Sequence, residues 1–392
     1  KMHFDVIVVG AGVTGSSLSL NLSKGGLKVG LLDYKNPYVV GKSDIFNGRT
    51  AALNSTSWNF FKEIGLSSTQ AKSTPFNCIE VWDSRGSSRI TFSAEEIDEQ
   101  NLGAVVSNNN LMFDLKTPIF SSDKIKFIEG ELEEIKQHKD IVKVFLKDGN
   151  NFSATLLVGS DGANSTVRNL SGIKTKSWSY EQRALVASLK SEMPHLNSAK
   201  QLFNEEGIIA LLPYDEKEGS NISLVWSLNI QKSKEVISLD EGSIEEKLYK
   251  DTEGSMGSFE INSELRSFPL YQMHALDYFS GRTVIVGEAA HTIHPLAGQG
   301  LNISLMDVKE LSEMVISERR KGNDIGSEDT LRNYQKSRLI HNMGMAGMME
   351  VFKRGFEAKD PWIKLARNTA FDIVEGSKDL KKGIIKRAIG FI

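Results

Sequence analysis

The sequence predicts an α/β protein. A discontinuous Rossmann-type dinucleotide-binding domain carries an inserted, mostly antiparallel β-sheet domain and is followed by a helical C-terminal region. Three observations predict it. A glycine fingerprint lies between two buried-strand segments at the N-terminus. Two more strand–glycine segments of the same style stand far along the chain. The residues between them alternate in the manner of antiparallel strands.

Phe4 to Val9 reads FDVIVV, an apolar run of the length of a strand buried on both faces. Val13 to Lys24 carries Leu18, Leu20 and Leu22 among small residues and reads as a packed helix, stopped by Gly25-Gly26. Val29 to Asp33 is the second strand and completes a βαβ unit. Its turn is Gly10-x-Gly12-x-x-Gly15. Gly10 permits the tight bend, Gly12 lets a pyrophosphate approach the backbone, and Gly15 lets the helix pack on the strand. The free N–H groups and dipole of the helix N-terminus favour phosphate charge. Asp33 ends the second strand, where a carboxylate binds ribose hydroxyls. By itself this motif suits any dinucleotide, NAD included.

Further along, residues 51–66 are expected as a helix ending near Gly65, residues 76–92 as strands turning at Ser84-Arg85-Gly86, and Leu111 to Phe120 as a helix. Lys124 to Glu129 and Ile141 to Leu146 alternate as strands before a turn at Asp148-Gly149. Residues 180–230 are strand-rich, Thr283 to Gly287 returns to the buried style, and a long helical region follows Gly300. The segments 4–10, 156–162 and 283–288 are most economically one sheet. The dinucleotide domain is then residues 1–70, 101–175 and 276–340, the inserted substrate domain residues 71–100 and 176–275, and the helical region residues 341–392. The 392 residues call for such a division, because single cores stop growing near roughly 250–300 residues.

The net charge of -3, from 47 basic and 50 acidic residues, argues against nucleic acid as a partner. Cys78 is the single cysteine, so neither an internal disulfide nor a cysteine zinc site is expected. His291 and His294 stand three apart without the further ligands a metal site needs, and no metal is expected. No apolar run has the length of a spanning helix, and Lys1-Met2-His3 has no signal-peptide anatomy.

Two more segments carry chemistry. Gly159-Ser-Asp161-Gly162 runs on to Ser165 and Arg168. Gly287-Glu288 runs on through His291, His294, Pro295, Gly298 and Gly300 to Leu301 and Asn302. Each joins a short buried strand to a polar glycine turn, and the second opens a helix. Pro295 fixes the loop, while Gly298 and Gly300 leave N–H groups free at the helix N-terminus, a place for developing negative charge.

With these segments the sequence resembles the flavin aromatic hydroxylases of the p-hydroxybenzoate hydroxylase fold, and within them the ubiquinone-biosynthesis hydroxylases. The resemblance spans nearly the whole chain. It includes Gly48 to Leu53, Val105 to Asn108, Gln201 to Phe203, Leu212-Pro213, Ser223 to Ser227, Phe268 to Leu270, the Gly287–Asp307 segment, and Tyr334 with Arg338. It implies that the dinucleotide is FAD and that the first domain is a Rossmann-type FAD-binding domain. Arg49 is implied on the pyrophosphate or ribityl chain, Asn108 on the flavin, and Asp161 in the cofactor region. Glu288 stands in place of the usual aspartate of the ribityl site, and Leu301 and Asn302 complete the set.

The implied reaction inserts one oxygen atom from O₂ into the ring of a polyprenylated phenol through a flavin C4a-hydroperoxide. NAD(P)H or a reduced protein donates the electrons. No protein nucleophile is required, and no catalytic residue is assigned. A hydroxylase of soluble aromatics, a flavin reductase of isoprenoid double bonds and a non-catalytic flavin subunit of a biosynthetic complex are the competing readings. The resemblance makes a ubiquinone-biosynthesis complex a candidate partner and the cytoplasm, peripheral to the inner membrane, the expected location.

Other residues read more plainly. Asp307 is expected as a helix cap and Asp161 is not, and the resemblance makes His291 a structural turn residue. Met343, Met345, Met348, Met349, Phe352 and Phe356 follow helical spacing and are expected in core packing. At the C-terminus Leu380, Ile384, Ala388 and Phe391 form one helical stripe with Ile385, Ile389 and Ile392 beside it. Lys382, Lys386 and Arg387 lie opposite, and Lys381 projects toward the apolar side. This is the pattern of a basic amphipathic helix at a membrane surface, or of a helix docked on protein.

Overall fold

A computed structural model describes residues 2–39, 50–66, 73–84, 89–214, 219–293, 300–357, 369–370 and 372–388. The N-terminal apolar run forms β1 (His3–Val9), followed by α1 (Val13–Lys24) and β2 (Val29–Asp33). β1 lies between β2 and the strand Asn151–Gly159, parallel to both. Thr283–Ile285 adds in parallel beyond Asn151–Gly159, and Ile125–Glu129 beyond β2. The three strand–glycine segments thus lie side by side in one sheet, as their shared style predicts. Val6, Ile7, Val8, Leu31, Leu156, Val158 and Val284 are buried because helices and loops cover the strands.

The small residues of α1 explain its position. Ser16, Ser17 and Ser19 are buried, and the helix packs against Asn108–Ser121 and Gly300–Arg320. At Gly15 an added Cβ would lie 1.8 Å from the Gly10 carbonyl oxygen. No side chain fits between helix and strand there.

The second sheet has nine strands in the order His291–Thr292, Arg266–Ala275, Thr175–Ser191, Asn221–Asn229, Gly207–Pro213, Ser198–Phe203, Cys78–Asp83 and Arg89–Ser93, with Phe259–Ile261 pairing on Thr175–Ser191. Every pairing is antiparallel except that of Ser198–Phe203 with Cys78–Asp83. Period-2 alternation gives it two separate faces. Leu185, Ala187, Leu189, Leu224, Trp226 and Leu228 form a core with Val236, Ile244 and Leu248 of the two helices Ile230–Ile237 and Glu241–Asp251. Ala184, Val186 and Val225 point the other way, toward the first sheet.

Several local expectations change. Residues 51–66 divide into a strand, Thr50–Asn54, and a shorter helix, Ser55–Glu63. The strand pairs with Gly103–Ser107, a partner distant in sequence. The polar strand Leu132–Gln137 was not expected and is held by Val142–Leu146. Met343 is 56% exposed rather than packed in a core, and the side chains of its five companions lie outside the described residues.

Asp307 is not a helix cap. It lies inside Gly300–Arg320, fully buried, and accepts from Gly287 N at 3.0 Å, His291 Nε2 at 2.5 Å, Arg338 Nε at 2.7 Å and Asn342 Nδ2 at 3.0 Å. Burial alone would raise its pKa. The His291 and Arg338 charges and these hydrogen bonds instead hold the carboxyl well below the usual carboxylate range.

Replacing Gly15 with Ala should destabilise the fold by about 1–3 kcal/mol or more through overpacking against backbone. Denaturant melts of the two proteins measure the difference, and equal midpoints would contradict the contact.

Candidate functional site

The C-terminal ends of the parallel strands meet the inner face of the nine-stranded sheet at a cavity of about 1030 Å³. Gly10, Gly12, Thr14, Asp33, Ser160, Asp161, Gly162, Glu288, Gly300, Leu301 and Ser304 line one side. Ala184, Val186, Val225, Phe268 and Leu270 line the other, and Thr50, Asn108 and Glu131 also border the space. The turns after β1, after Asn151–Gly159 and after Thr283–Ile285 therefore converge, as parallel neighbours must.

Gly10 adopts φ +98°, and a Cβ there would strike the Ser160 backbone at 2.5 Å. Ser160 Oγ in turn donates to the carbonyls of Val9 and Gly10. Asp33 Oδ2 accepts from Ala11 N at 2.7 Å, which ties the end of β2 to the glycine turn. Asp161 accepts from Ser165 Oγ at 2.5 Å and from Val167 N at 3.1 Å, and burial raises its pKa. This carboxylate borders the cavity and also accepts from the first turn of the short helix Thr166–Leu170, whose N-cap is Ser165.

The site residues differ in what they can offer. Glu288 is exposed on the cavity wall, in the turn Gly287–Ala289. Gly300 begins the long helix at the cavity, and Leu301 follows it there. Asn302 does not face the cavity. Its Oδ1 accepts from Asn54 N at 3.0 Å and Ser57 Oγ at 2.7 Å, and its Nδ2 donates to Ala52 O at 2.8 Å. Its side-chain amide joins the long helix to Thr50–Asn54 and Ser55–Glu63. Arg49, Pro295 and Gly298 lie outside the described residues. Among the described residues no cluster of metal-ligating side chains occurs.

Two observations fit these walls to FAD. A Cβ added at Gly12 would meet no atom within 4 Å, so the backbone there borders open space at the N-terminus of α1. Asn108 Oδ1 is buried on the cavity border without a hydrogen-bond partner among the described residues. Such an atom is costly to leave unpaired and suits a donor on a bound group. Sequence reasoning missed Thr14, Ser160 and Ser304, whose only signal is their closeness to the glycine motifs.

Gly12→Val should fold as the wild type does and lose FAD, because the side chain occupies the phosphate's space and no protein atom's. A folded variant retaining full FAD on titration would contradict the assignment. Glu288→Ala should weaken FAD by about 1.5–3 kcal/mol, the worth of a charge-assisted hydrogen bond, whereas Glu288→Asp should keep or tighten it. Titration of both variants decides, and an unchanged alanine variant would remove this carboxylate from the flavin site.

A family model described as FAD binding domain matches residues 3–346. The chain is 29% identical over 389 residues to the 3-demethoxyubiquinol 3-hydroxylase of Escherichia coli (strain K12), with 98% of each chain covered. It is 27% identical over 433 residues to the mitochondrial ubiquinone biosynthesis monooxygenase COQ6 of Homo sapiens, covering 97% of this chain and 92% of the relative. Among solved structures, p-nitrophenol 4-monooxygenase PnpA from Pseudomonas putida DLL-E4 superposes with a TM-score of 0.80 at 18% identity, covering 98% of this chain and 97% of its own, a likeness of fold. The family match takes in most of the sequence and all three glycine turns: the chain belongs to the FAD-binding domain family and is an FAD-dependent monooxygenase.

Proposed function

We propose that this monooxygenase hydroxylates the ring of an uncharged, lipophilic phenol, a polyprenylated intermediate of ubiquinone synthesis. The observation that carries this reading is the composition of the cavity. Its sheet wall is Ala184, Val186, Val225, Phe268 and Leu270, and the acidic and basic side chains among its described lining residues are Asp33, Glu131, Asp161 and Glu288. An apolar ring and tail lose water favourably against such a wall. An aromatic carboxylate would meet like charge. The curated relatives named for ubiquinone synthesis support the same substrate class.

Bound FAD would supply the activation of O₂, from which one oxygen atom passes to the ring and the other leaves as water at the expense of two electrons from the donor. The chain binds and orients. Gly12 and the N-terminus of α1 would hold the pyrophosphate, Asp33 the ribose, and Glu288 the ribityl chain. Asn108 would contact the flavin, and the free backbone N–H groups at Gly300 and Leu301, which line the same cavity, would favour the negative charge of a reduced flavin. Residues 1–70, 101–175 and 276–340 hold the cofactor in this reading. Residues 71–100 and 176–275 hold the substrate, and their apolar wall keeps water from the reacting ring. NAD(P)H or a reduced protein is the electron donor.

The C-terminal helix Lys378–Ala388 supports a membrane-surface role. Lys381 is buried, paired with Glu96 at 2.8 Å and Glu375 at 3.2 Å, and so docks the helix on its own protein. This explains why a lysine projects inward from the apolar stripe. Leu380 and Ile384 remain 49% and 42% exposed, available to lipid. Phe391 and the isoleucines at 389 and 392 lie outside the described residues, as does the side chain of Ile385.

Deleting the gene should make its host accumulate a polyprenylated quinone precursor lacking one ring hydroxyl. The purified protein should incorporate one atom of labelled O₂ into that precursor. An unchanged quinone pool, or hydroxylation only of aromatic carboxylates, would contradict the substrate. Truncation after Glu375 should abolish salt-sensitive binding to anionic liposomes while FAD stays bound, each lost basic residue contributing about 1 kcal/mol. Equal binding by both forms would exclude the tail.

A further inference from the structure

The turn that presents Glu288 is held at both ends by buried charged side chains. Before it, Gly287 N donates to Asp307 Oδ2 at 3.0 Å; after it, Ala289 O accepts from Arg168 Nη1 at 3.0 Å. Arg168 also donates through Nη2 to Ala163 O at 2.9 Å, which joins this turn to the one that carries Asp161. Asp307 is 0% exposed and Arg168 7%, and neither lines the cavity. The turn itself contains one backbone hydrogen bond, from Ala290 N to Gly287 O at 2.9 Å. Gly287 adopts φ +61°, with Thr14 and Ser304 each 3.1 Å from where its Cβ would stand. The turn is thus seated between the starts of α1 and Gly300–Arg320.

A glutamate has one more rotatable bond than an aspartate. Its carboxylate keeps one position only if the backbone beneath it is fixed, and hydrogen bonds to charged groups are the stronger ones for fixing it. We infer that Asp307 and Arg168 are positioning residues that hold Glu288 toward the flavin, acting through the backbone on either side of it. The inference rests on the reading of Glu288 as a flavin contact.

Non-additivity provides the test. FAD dissociation constants are measured by titration for wild type, Glu288→Ala, Arg168→Met, Asp307→Asn and the double variants that include Glu288→Ala. Arg168→Met and Asp307→Asn should each weaken FAD, by about tenfold for the loss of a charge-assisted hydrogen bond. In the Glu288→Ala background the same changes should matter less than about twofold, since the residue they position is gone. At saturating FAD, the visible flavin absorption band of Arg168→Met should shift in the same direction as that of Glu288→Ala.

Asp307→Asn takes from the buried Arg338 charge its nearest partner, leaving Glu310 at 4.0 Å, and can fail to fold; Arg168→Met then carries the test alone. Normal FAD affinity in Arg168→Met, or a factor that persists in full on the Glu288→Ala background, would overturn the inference. If Glu288→Ala alone binds FAD as wild type does, the reading of Glu288 fails first and the inference falls with it.

Discussion

A single buried carboxylate sets the geometry on which the cavity depends. Asp307 receives hydrogen bonds from a backbone N–H, an imidazole, a guanidinium and an amide, drawn from the Gly287 turn, the strand His291–Thr292 and the helix Glu328–Glu357. Removing an ion from water is expensive, and only a full set of partners offsets that loss. The arrangement therefore has little tolerance. Deleting one partner of such a pair costs about 3–5 kcal/mol, because it strands the other charge. Asn342 extends the network to Tyr278, donating to its hydroxyl at 3.1 Å. The start of Gly300–Arg320 and the Glu288 turn are then held side by side on one wall of the cavity.

The second constraint is the nine-stranded sheet, which serves two apolar volumes at once. Along Thr175–Ser191, Leu185 and Ala187 belong to a closed core, while Ala184 and Val186 line the cavity. A one-residue slip would exchange the two sets. Register is secured by nine paired residues with Asn221–Asn229 and ten with Arg266–Ala275. Thr50 Oγ1 and Ser223 Oγ, 2.7 Å apart, join this sheet to the strand beside the FAD-side turns. The cavity is consequently a seam between two sheets, which is why its opposite walls differ so much in polarity.

The parts of the site legible in sequence are those whose physics is local. Gly10, Gly12 and Gly15 are specified by a bend, an approach and a helix contact within six residues, and Asp33 by the strand that follows. Asn302 looked equally diagnostic inside its motif, yet its amide serves Asn54, Ser57 and Ala52, which are some 250 positions away. Asp307 read as a cap because its chain neighbours are helical; its partners come from residues 287, 291, 338 and 342. The strand Thr50–Asn54 read as helix for the same reason, since the Gly103–Ser107 ladder that makes it a strand is distant. Lys381 looked like a flaw in an apolar stripe and is in fact the residue that docks the helix.

By itself, the sequence determined the βαβ unit, the shared style of the three strand–glycine segments and the FAD-binding family to which they belong. Turn geometry, strand period and helix dipoles act over a few residues and leave their mark in residue order. Only the tertiary structure decided which polar groups of those motifs face the cavity and which hold it together. It also decided that the ionisable lining among the described residues is acidic and that the wall formed by the nine-stranded sheet is apolar. Those outcomes depend on which distant segments become neighbours. A carboxylate has the same chemical identity in sequence whether its partner proves to be solvent, a cofactor or a buried arginine.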